Sequence, residues 1–350
     1  MKMTSITGTA LPARYFRLID DYLRSAGTSP DEVLRATGID PERFKETDFA
    51  ITPQQYERLL AHVLRVTGRS DIGFEWGRRV KLNSHGLLGY AMLSYATLDQ
   101  GLRQCARYYS LLTPLFRMIY QRRGNDAEII LRPVQPMGKL LLEVSLEILA
   151  VSTYLQCKPP LLGPDCACDI HLSIPPPPHA CRYRELAPAC VHFDASPVPE
   201  VRLVLGNWNL DAPLPMANEH AVRTAEELCD ALLQARGEPG NWTAWVVMML
   251  DQARNSRPTL AALARLRGLS PRTLDRHLRN EGSSFRDLAI DVRNARARRL
   301  LADGGLPVSE IAYRLGFTDV ANFSRAFRKA NGVSPSDFRD GGEPGTAARR

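Results

Sequence analysis

The sequence predicts an α+β domain followed by an all-α domain that holds two helix-turn-helix units. Three observations carry this expectation. One pattern is written twice between Thr259 and Pro335; the excess positive charge lies in the last quarter of the chain; and strand-like alternation begins only after about residue 111, behind a helical stretch. A chain of 350 residues exceeds one simple core, so two domains are the prior. A hydrophobic fraction of 44% places it among globular proteins.

The first hundred residues read as helices separated by short turns. Leu11–Ala26 is expected to be one helix, with Tyr15, Leu18, Ile19 and Leu23 at helical spacing. Ser29-Pro30-Asp31-Glu32 opens another and Gly38 stops it. Pro53–Thr67 follows, with Tyr56, Leu59, Leu60 and Val63 on one face. The β-rich runs Leu115–Tyr120 and Glu128–Leu131 flank Arg123-Gly124-Asn125-Asp126, the composition of a hairpin turn. Gly138–Gln156 is then a long helix. It lies in the greasiest segment, but Glu143 and Glu147 interrupt it, which suits a buried helix better than a membrane span. Cys168–Ile174 and Val201–Leu205 read as further strands, separated by the rigid run Pro175–Pro178 and a short helix near Cys181–Leu186. Residues 1–210 are thus expected to form one α+β domain whose sheet is assembled late, followed by a helix from Glu219 to Gln234.

Eight soft or borderline metal ligands crowd one segment: Cys157, Cys166, Cys168, His171, His179, Cys181, Cys190 and His192. No CxxC or HxxxH occurs among them, and on a strand Cys168 and His171 would face opposite ways. Scattered thiols packed as small hydrophobes are the expectation, with no metal site and no cofactor. A metal or redox sensor over 157–192 is the alternative. Seven cysteines, with no apolar leader between Met1 and Arg14, point to reduced thiols in a cytoplasm. No Gly-rich phosphate loop, Gly-x-Ser-x-Gly elbow or Pro-Cys-His-Arg nucleophile motif occurs, so no enzyme is expected.

Residues 236–240, Arg-Gly-Glu-Pro-Gly, have the composition of a linker, and Asn241–Arg254 of an apolar helix. The repeat begins after them. Leu260, Leu263, Ala264, Gly268, Leu269 and Ser270 recur as Val308, Ile311, Ala312, Gly316, Phe317 and Thr318. One further residue of offset aligns Leu274, Arg276, Leu278 and Arg279 with Phe323, Arg325, Phe327 and Arg328. Each copy reads as a short amphipathic helix, a glycine stop at C′, and a second helix opened by a hydroxyl cap, Ser270 or Thr318. A helix, a tight turn and a second helix bearing arginines is the geometry that enters a DNA major groove.

The first recognition helix is expected over Pro271–Asn280, with Leu274 and Leu278 inward and Arg272, Thr273, Asp275, Arg276 and Arg279 available to DNA. Arginine suits bidentate contact with guanine, so Arg272 and Arg276 are natural base readers; Asp275 could accept from cytosine or orient a neighbouring arginine. In the second copy Phe323 and Phe327 are the buried pair, leaving Val320, Ala321, Asn322, Ser324, Arg325 and Arg328 on the DNA side. There Asn322 suits adenine, Arg325 guanine or phosphate, and Val320 and Ala321 a thymine methyl. Ser284-x-x-Asp287 has the form of a capping box and opens a connecting helix to about Ala302. Its apolar stripe is Phe285, Leu288, Ala289, Val292, Ala295, Leu300 and Leu301. A helix of that size spans about 30 Å, close to the roughly 34 Å turn of B-DNA, and could hold two recognition helices in successive major grooves.

Charge supports this division. Residues 258–340 hold 15 Lys and Arg against 9 Asp and Glu, whereas 1–257 hold 28 of each sign. Phosphate binding works through such local excess. The tail 341–350 has no core residues and is expected to be disordered.

The run Glu310-Ile311-Ala312-Tyr313-Arg314-Leu315-Gly316-Phe317, then Phe323-Ser324-Arg325-Ala326-Phe327 and Gly332-Val333-Ser334-Pro335, closely resembles the second-motif signature of the AraC family. His85-Gly86-Leu87-Leu88-Gly89-Tyr90-Ala91, Thr97-Leu98 and Pro213-Leu214-Pro215-Met216-Ala217-Asn218 resemble the N-terminal domain of its ornithine-utilisation-type members. The resemblance implies an effector-binding and dimerisation domain over 1–235 and a double helix-turn-helix DNA-binding domain over 241–340. It further implies a homodimeric regulator of transcription on double-stranded promoter DNA. Activation through RNA polymerase is usual for the family, under control of a small-molecule effector whose binding residues the sequence does not name. No membrane partner is expected. A protein partner or a metal/redox signal is the alternative input.

Overall fold

Prolines at the first turn open much of the N-terminal half, because that position needs no N–H. The computed structural model describes residues 10–46, 49–157, 167–206, 209–234, 241–253 and 258–340. The chain divides into two compact units, residues 1–241 and 242–350. The first unit begins with β1 (Leu11–Pro12), a 3-10 turn over Ala13–Ile19 and α1 (Asp20–Ser25). The single helix expected over Leu11–Ala26 is therefore divided. Pro12 is extended and pairs with Ala50 in a two-residue ladder to β2 (Ala50–Ile51), which draws this end of the segment away from helix. Between them lie α2 (Pro30–Ala36) and α3 (Pro41–Phe44). Then follow α4 (Pro53–Thr67), α5 (Ile72–Arg79), α6 (Leu87–Ser94) and α7 (Leu98–Leu112). Thr52 and Gln55 close a reciprocal capping box on α4, and Thr97 caps α7.

β3 (Phe116–Arg123) and β4 (Asp126–Pro133) form the expected hairpin across Gly124-Asn125. After α8 (Lys139–Cys157) come β5 (Ala167–Leu172), β6 (Cys190–His192) and β7 (Val201–Gly206). The five strands lie in the order β3-β4-β7-β5-β6, with only β5 and β6 parallel. β5 stops at Leu172, two residues before the expected end.

By length and composition α8 could cross a membrane, yet it is the helix around which this unit packs. It lies against α4, α5, β5 and β7. Contact with α5 is close because α5 presents Gly73 and Gly77: a Cβ at Gly77 would sit 2.7 Å from Val151 Cβ, and one at Gly73 2.8 Å from Glu147 Cβ. Glu147, which breaks the apolar run in sequence, is buried and accepts hydrogen bonds from the Tyr183 hydroxyl at 2.9 Å and His179 Nε2 at 2.8 Å. Beside it, Arg182 joins Asp71, Glu75 and Glu185 in one ionic network. α9 (Glu219–Gln234) packs on α6 and α7, fastened by Tyr95–Glu226 at 3.0 Å and by Arg107 and Tyr108 on Asp230 at 2.8 and 2.9 Å.

The second unit is all helix among the described residues: α10 (Trp242–Gln252), α11 (Leu260–Leu266), α12 (Pro271–Asn280), α13 (Phe285–Ala302), α14 (Val308–Arg314), α15 (Val320–Asn331) and α16 (Pro335–Arg339). α13 packs against α10 and against α14, α15 and α16. Of its expected stripe Leu288 and Leu301 are buried with Ala297, while Phe285, Ala289, Val292, Ala295 and Leu300 are half-buried. Arg254, the linker 236–240 and the tail 341–350 lie outside the described residues.

Candidate functional site

Two sites stand out, one in each unit. In the second unit, α11 and α12 form the first helix-turn-helix. Gly268 follows the end of α11 at φ +70°, a left-handed conformation that only glycine adopts cheaply. Two residues on, the Ser270 hydroxyl accepts the Thr273 N–H at 3.1 Å and Pro271 occupies the first turn. Leu274 and Leu278 are fully buried, so the helix phase is fixed and its other face is turned outward. Arg272, Arg276 and Arg279 are exposed, and with Thr273, Asp275 and Asn280 they line one surface depression. Asp275 pairs with Arg279 at 2.8 Å.

Behind α12 the first motif is locked to α10. Glu281 accepts the backbone N–H groups of Trp242 at 2.9 Å and Thr243 at 2.7 Å, capping α10 from a neighbouring element. Burial opposes ionisation of Glu281, but those donors outweigh it and hold its pKa below the usual value. His277 stacks on Trp242 at 4.5 Å, and the Arg267 guanidinium lies 4.4 Å from the same ring.

The second motif repeats the plan with one difference. Gly316 has φ +70°, but the cap of α15 is Asp319, not Thr318. The extra residue in this turn moves the cap one place on, and the Asp319 carboxylate accepts the Asn322 N–H at 2.7 Å. Phe323 and Phe327 are buried as expected, with Ile311, Ala312 and Leu301 around them. Val320, the first residue of α15, is half-buried and packs against that apolar cluster. Ala321, Asn322, Arg325 and Arg328 are exposed and Ser324 is half-buried. Arg325 donates to Asn322 Oδ1 at 2.6 Å, and Asn322 in turn bonds Asp319, so three side chains form one oriented chain on the outward face.

In the first unit the site is a cavity of about 450 Å³, within the range of small-molecule sites. It lies among α6, α7, α8, the start of the sheet and residues 212–214. The motif His85–Ala91 builds one wall: Gly89 sits so tightly on the backbone of Leu82 that a Cβ there would fall 1.8 Å from its carbonyl oxygen. The Tyr15 hydroxyl lies 2.9 Å from His85 Nδ1, and His85 Nε2 lies 2.9 Å from Gln156 Oε1. Burial holds the His85 pKa down to about 4, against the smaller upward pull of Gln156, so the ring is neutral at pH 7. Residues 213–218, the second part of the N-terminal resemblance, close against α6: Leu214 N–H bonds Ala96 O at 2.9 Å and Asn218 N–H bonds Ser94 O at 2.8 Å. Nothing in the sequence alone collects this lining, which spans residues 11 to 214.

The Cys/His-rich segment is dispersed. Cys157 and Cys168 are buried, and burial raises both thiols, Cys168 to about 12. His179 is engaged by Glu147 and Ser70, while Cys181 and Cys190 are exposed. His171 and His192 stack at 4.7 Å, with Asp169 2.7 Å from His192 Nε2. Cys168 faces the core and His171 lies half-buried, the opposite orientations that a strand imposes; Cys166 lies outside the described residues.

Residues 27–214 match the sequence profile described as the arabinose-binding domain of AraC transcription regulator, N-term, which takes in more than half of the chain. This chain belongs to the AraC family. Residues 263–341 match a helix-turn-helix domain profile. This AraC-family chain is 28% identical over 337 residues to the ornithine utilization regulator of Pseudomonas aeruginosa, covering 96% of this chain and 98% of that protein. It is 29% identical over 342 residues to an HTH-type transcriptional regulator of Mycobacterium tuberculosis, covering 93% and 95%. Among solved structures, the transcriptional regulator CdpR from Pseudomonas aeruginosa aligns with a TM-score of 0.46 at 23% identity, over 93% of this chain and 98% of that one. These relatives are transcriptional regulators, not enzymes.

Proposed function

We propose that this AraC-family regulator activates transcription by reading promoter DNA with α12 and α15 under the control of a small molecule held in the N-terminal cavity. The observation that carries the reading is the pairing, on one chain, of a tandem helix-turn-helix unit with a ligand-sized cavity in the other unit. Arg272, Thr273, Asp275, Arg276 and Arg279 read or position one half of the site; Ala321, Asn322, Ser324, Arg325 and Arg328 the other. Val320, half-buried against the apolar cluster at the start of α15, offers the remaining apolar contact in that half. At roughly 1.5 Å per residue the 18 residues of α13 span about 27 Å, which suits successive major grooves on one face of the duplex. Residues 1–235 would hold the dimer contacts and 241–340 the DNA contacts, with RNA polymerase as the downstream partner and the cytoplasm as the setting.

Footprinting of the full chain on its own upstream region tests this. Two protected stretches about one helical turn apart are expected, changing in extent or affinity when the cavity is filled. A single short protected stretch would overturn the tandem arrangement.

A further inference from the structure

The names of the matched domain family and of one relative suggest a sugar or a cationic amino acid as ligand, but the chemistry of the cavity suits neither. Its body is apolar: Trp76, Leu102, Tyr109, Phe116, Ile148 and Leu149 are among its walls. Among the described residues no aspartate or glutamate lines it, so a bound ammonium would lose its water without gaining a counter-charge. Its polar trio, Tyr15, His85 and Gln156, is already bonded internally, which leaves a polyol mainly the single hydroxyls of Thr113, Ser145, Ser152 and Thr153, scattered along the walls, as partners. Lys81 is the one charged residue of the lining; it is exposed and makes no ion pair among the described residues. Burial keeps His85 neutral and pushes the Cys105 thiol up to about 12, so the wall acquires no other charge near pH 7.

We propose that the cavity binds a hydrocarbon-rich monoanion of the medium-chain carboxylate type, with its chain among the apolar walls and its carboxylate at Lys81; this rests on reading the cavity as the effector site. The 450 Å³ volume corresponds to about fifteen water-sized groups, enough for the body of decanoate. An apolar chain gains from leaving water along its length, and the exposed ammonium supplies orientation more than affinity.

The test uses the full chain, titrated with n-decanoate, n-decanol, n-decylamine, L-ornithine and L-arabinose, and read by thermal shift and by the fluorescence of Trp76 in the cavity wall. Decanoate is expected to raise the melting temperature with concentration, whereas ornithine and arabinose have no effect. Lys81→Gln should weaken decanoate roughly threefold and leave decanol unchanged, the size expected of an exposed ion pair. Leu149→Trp should fill the cavity and abolish decanoate binding; Met92→Trp does the same from α6 if the first variant loses its far-UV circular dichroism. Decylamine or ornithine binding as well as decanoate, and blocked by a filling variant, would overturn the ligand class while leaving the cavity as effector site. Decanoate binding unaffected by either well-folded filling variant would remove the cavity from both readings. Failure of decanoate to bind at millimolar concentration would by itself overturn the class.

Discussion

His85 sits in an environment that moves it well away from its type's norm, and the departure has a sign. Its folded pKa lies near 4 against an ordinary 6.5, so the unfolded chain binds the proton first. Stability is therefore fully present above about pH 6.5 and is lost as pH falls toward 4, by on the order of 2–3 kcal/mol. Urea denaturation across pH 7 to 4 should show that loss, and His85→Phe should flatten it. Asp71 and Glu75 act in a separate window. Burial would raise their pKa values, but hydrogen bonds and charge from Arg69, Arg79 and Arg182 outweigh it and lower both. Their stabilisation is present above ordinary carboxylate values of 3.8 and 4.5 and declines only below them, so the His85 step should be resolved on its high-pH side. In the second unit the sensitive residue is Glu281. Glu281→Ala removes the acceptor for two α10 N–H groups and should cost about 1–2 kcal/mol, as loss of a helix cap does. Thermal unfolding of the 241–340 fragment measures it; Glu281→Gln, which keeps one acceptor oxygen, should recover part of the loss.

At the scale of elements, α12 and α15 are equivalent in plan but differ in how their arginines are held. Arg276 stands exposed between the outward side chains of α12, whereas Arg325 is bonded to Asn322 and through it to the cap Asp319. Arg276→Ala and Arg325→Ala should each weaken specific binding by about 1–3 kcal/mol, each relaxing base preference in a different half-site. Their effects should add within about 0.5 kcal/mol if no partner is shared. Binding isotherms on operators mutated in one half at a time decide this; both changes mapping to the same half would refute the tandem reading. Uniform weakening by Arg325→Ala would make it a phosphate clamp. Asp319→Ala should resemble a weaker Arg325→Ala, because it frees Asn322 and shortens the cap of α15.

At the scale of the molecule, charge assigns the labour. Residues 258–340 carry the net positive charge and 1–257 carry none. The fragment 241–340 should fold alone and bind promoter DNA with log K falling steeply against log salt. A flat response would remove the phosphate contacts from this face. The fragment 1–235 should sediment as a dimer and ignore DNA; a monomer at tens of micromolar would favour single-chain action by the two-headed reader.

What the sequence by itself determined is whatever is written locally. The helix-turn-helix pair was legible from Leu274 and Leu278, from Phe323 and Phe327, and from two glycines, because burial phase and left-handed turns are set by neighbours three or four residues apart. The hairpin at Gly124-Asn125 and the late sheet were legible for the same reason. Local pattern failed where partners are distant. Pro12 pairs with Ala50 instead of opening a helix, Glu147 has its hydrogen bonds satisfied by residues 179 and 183, and Glu281 caps a helix that begins at Trp242. The half-burial of Val320 likewise follows from packing against the apolar cluster of α13, α14 and α15, which is assembled from distant parts of the chain. The cavity is the extreme case. Its walls are drawn from residues 11 to 214, most of which read in sequence as ordinary core, and only packing decides that they enclose a space instead of filling one.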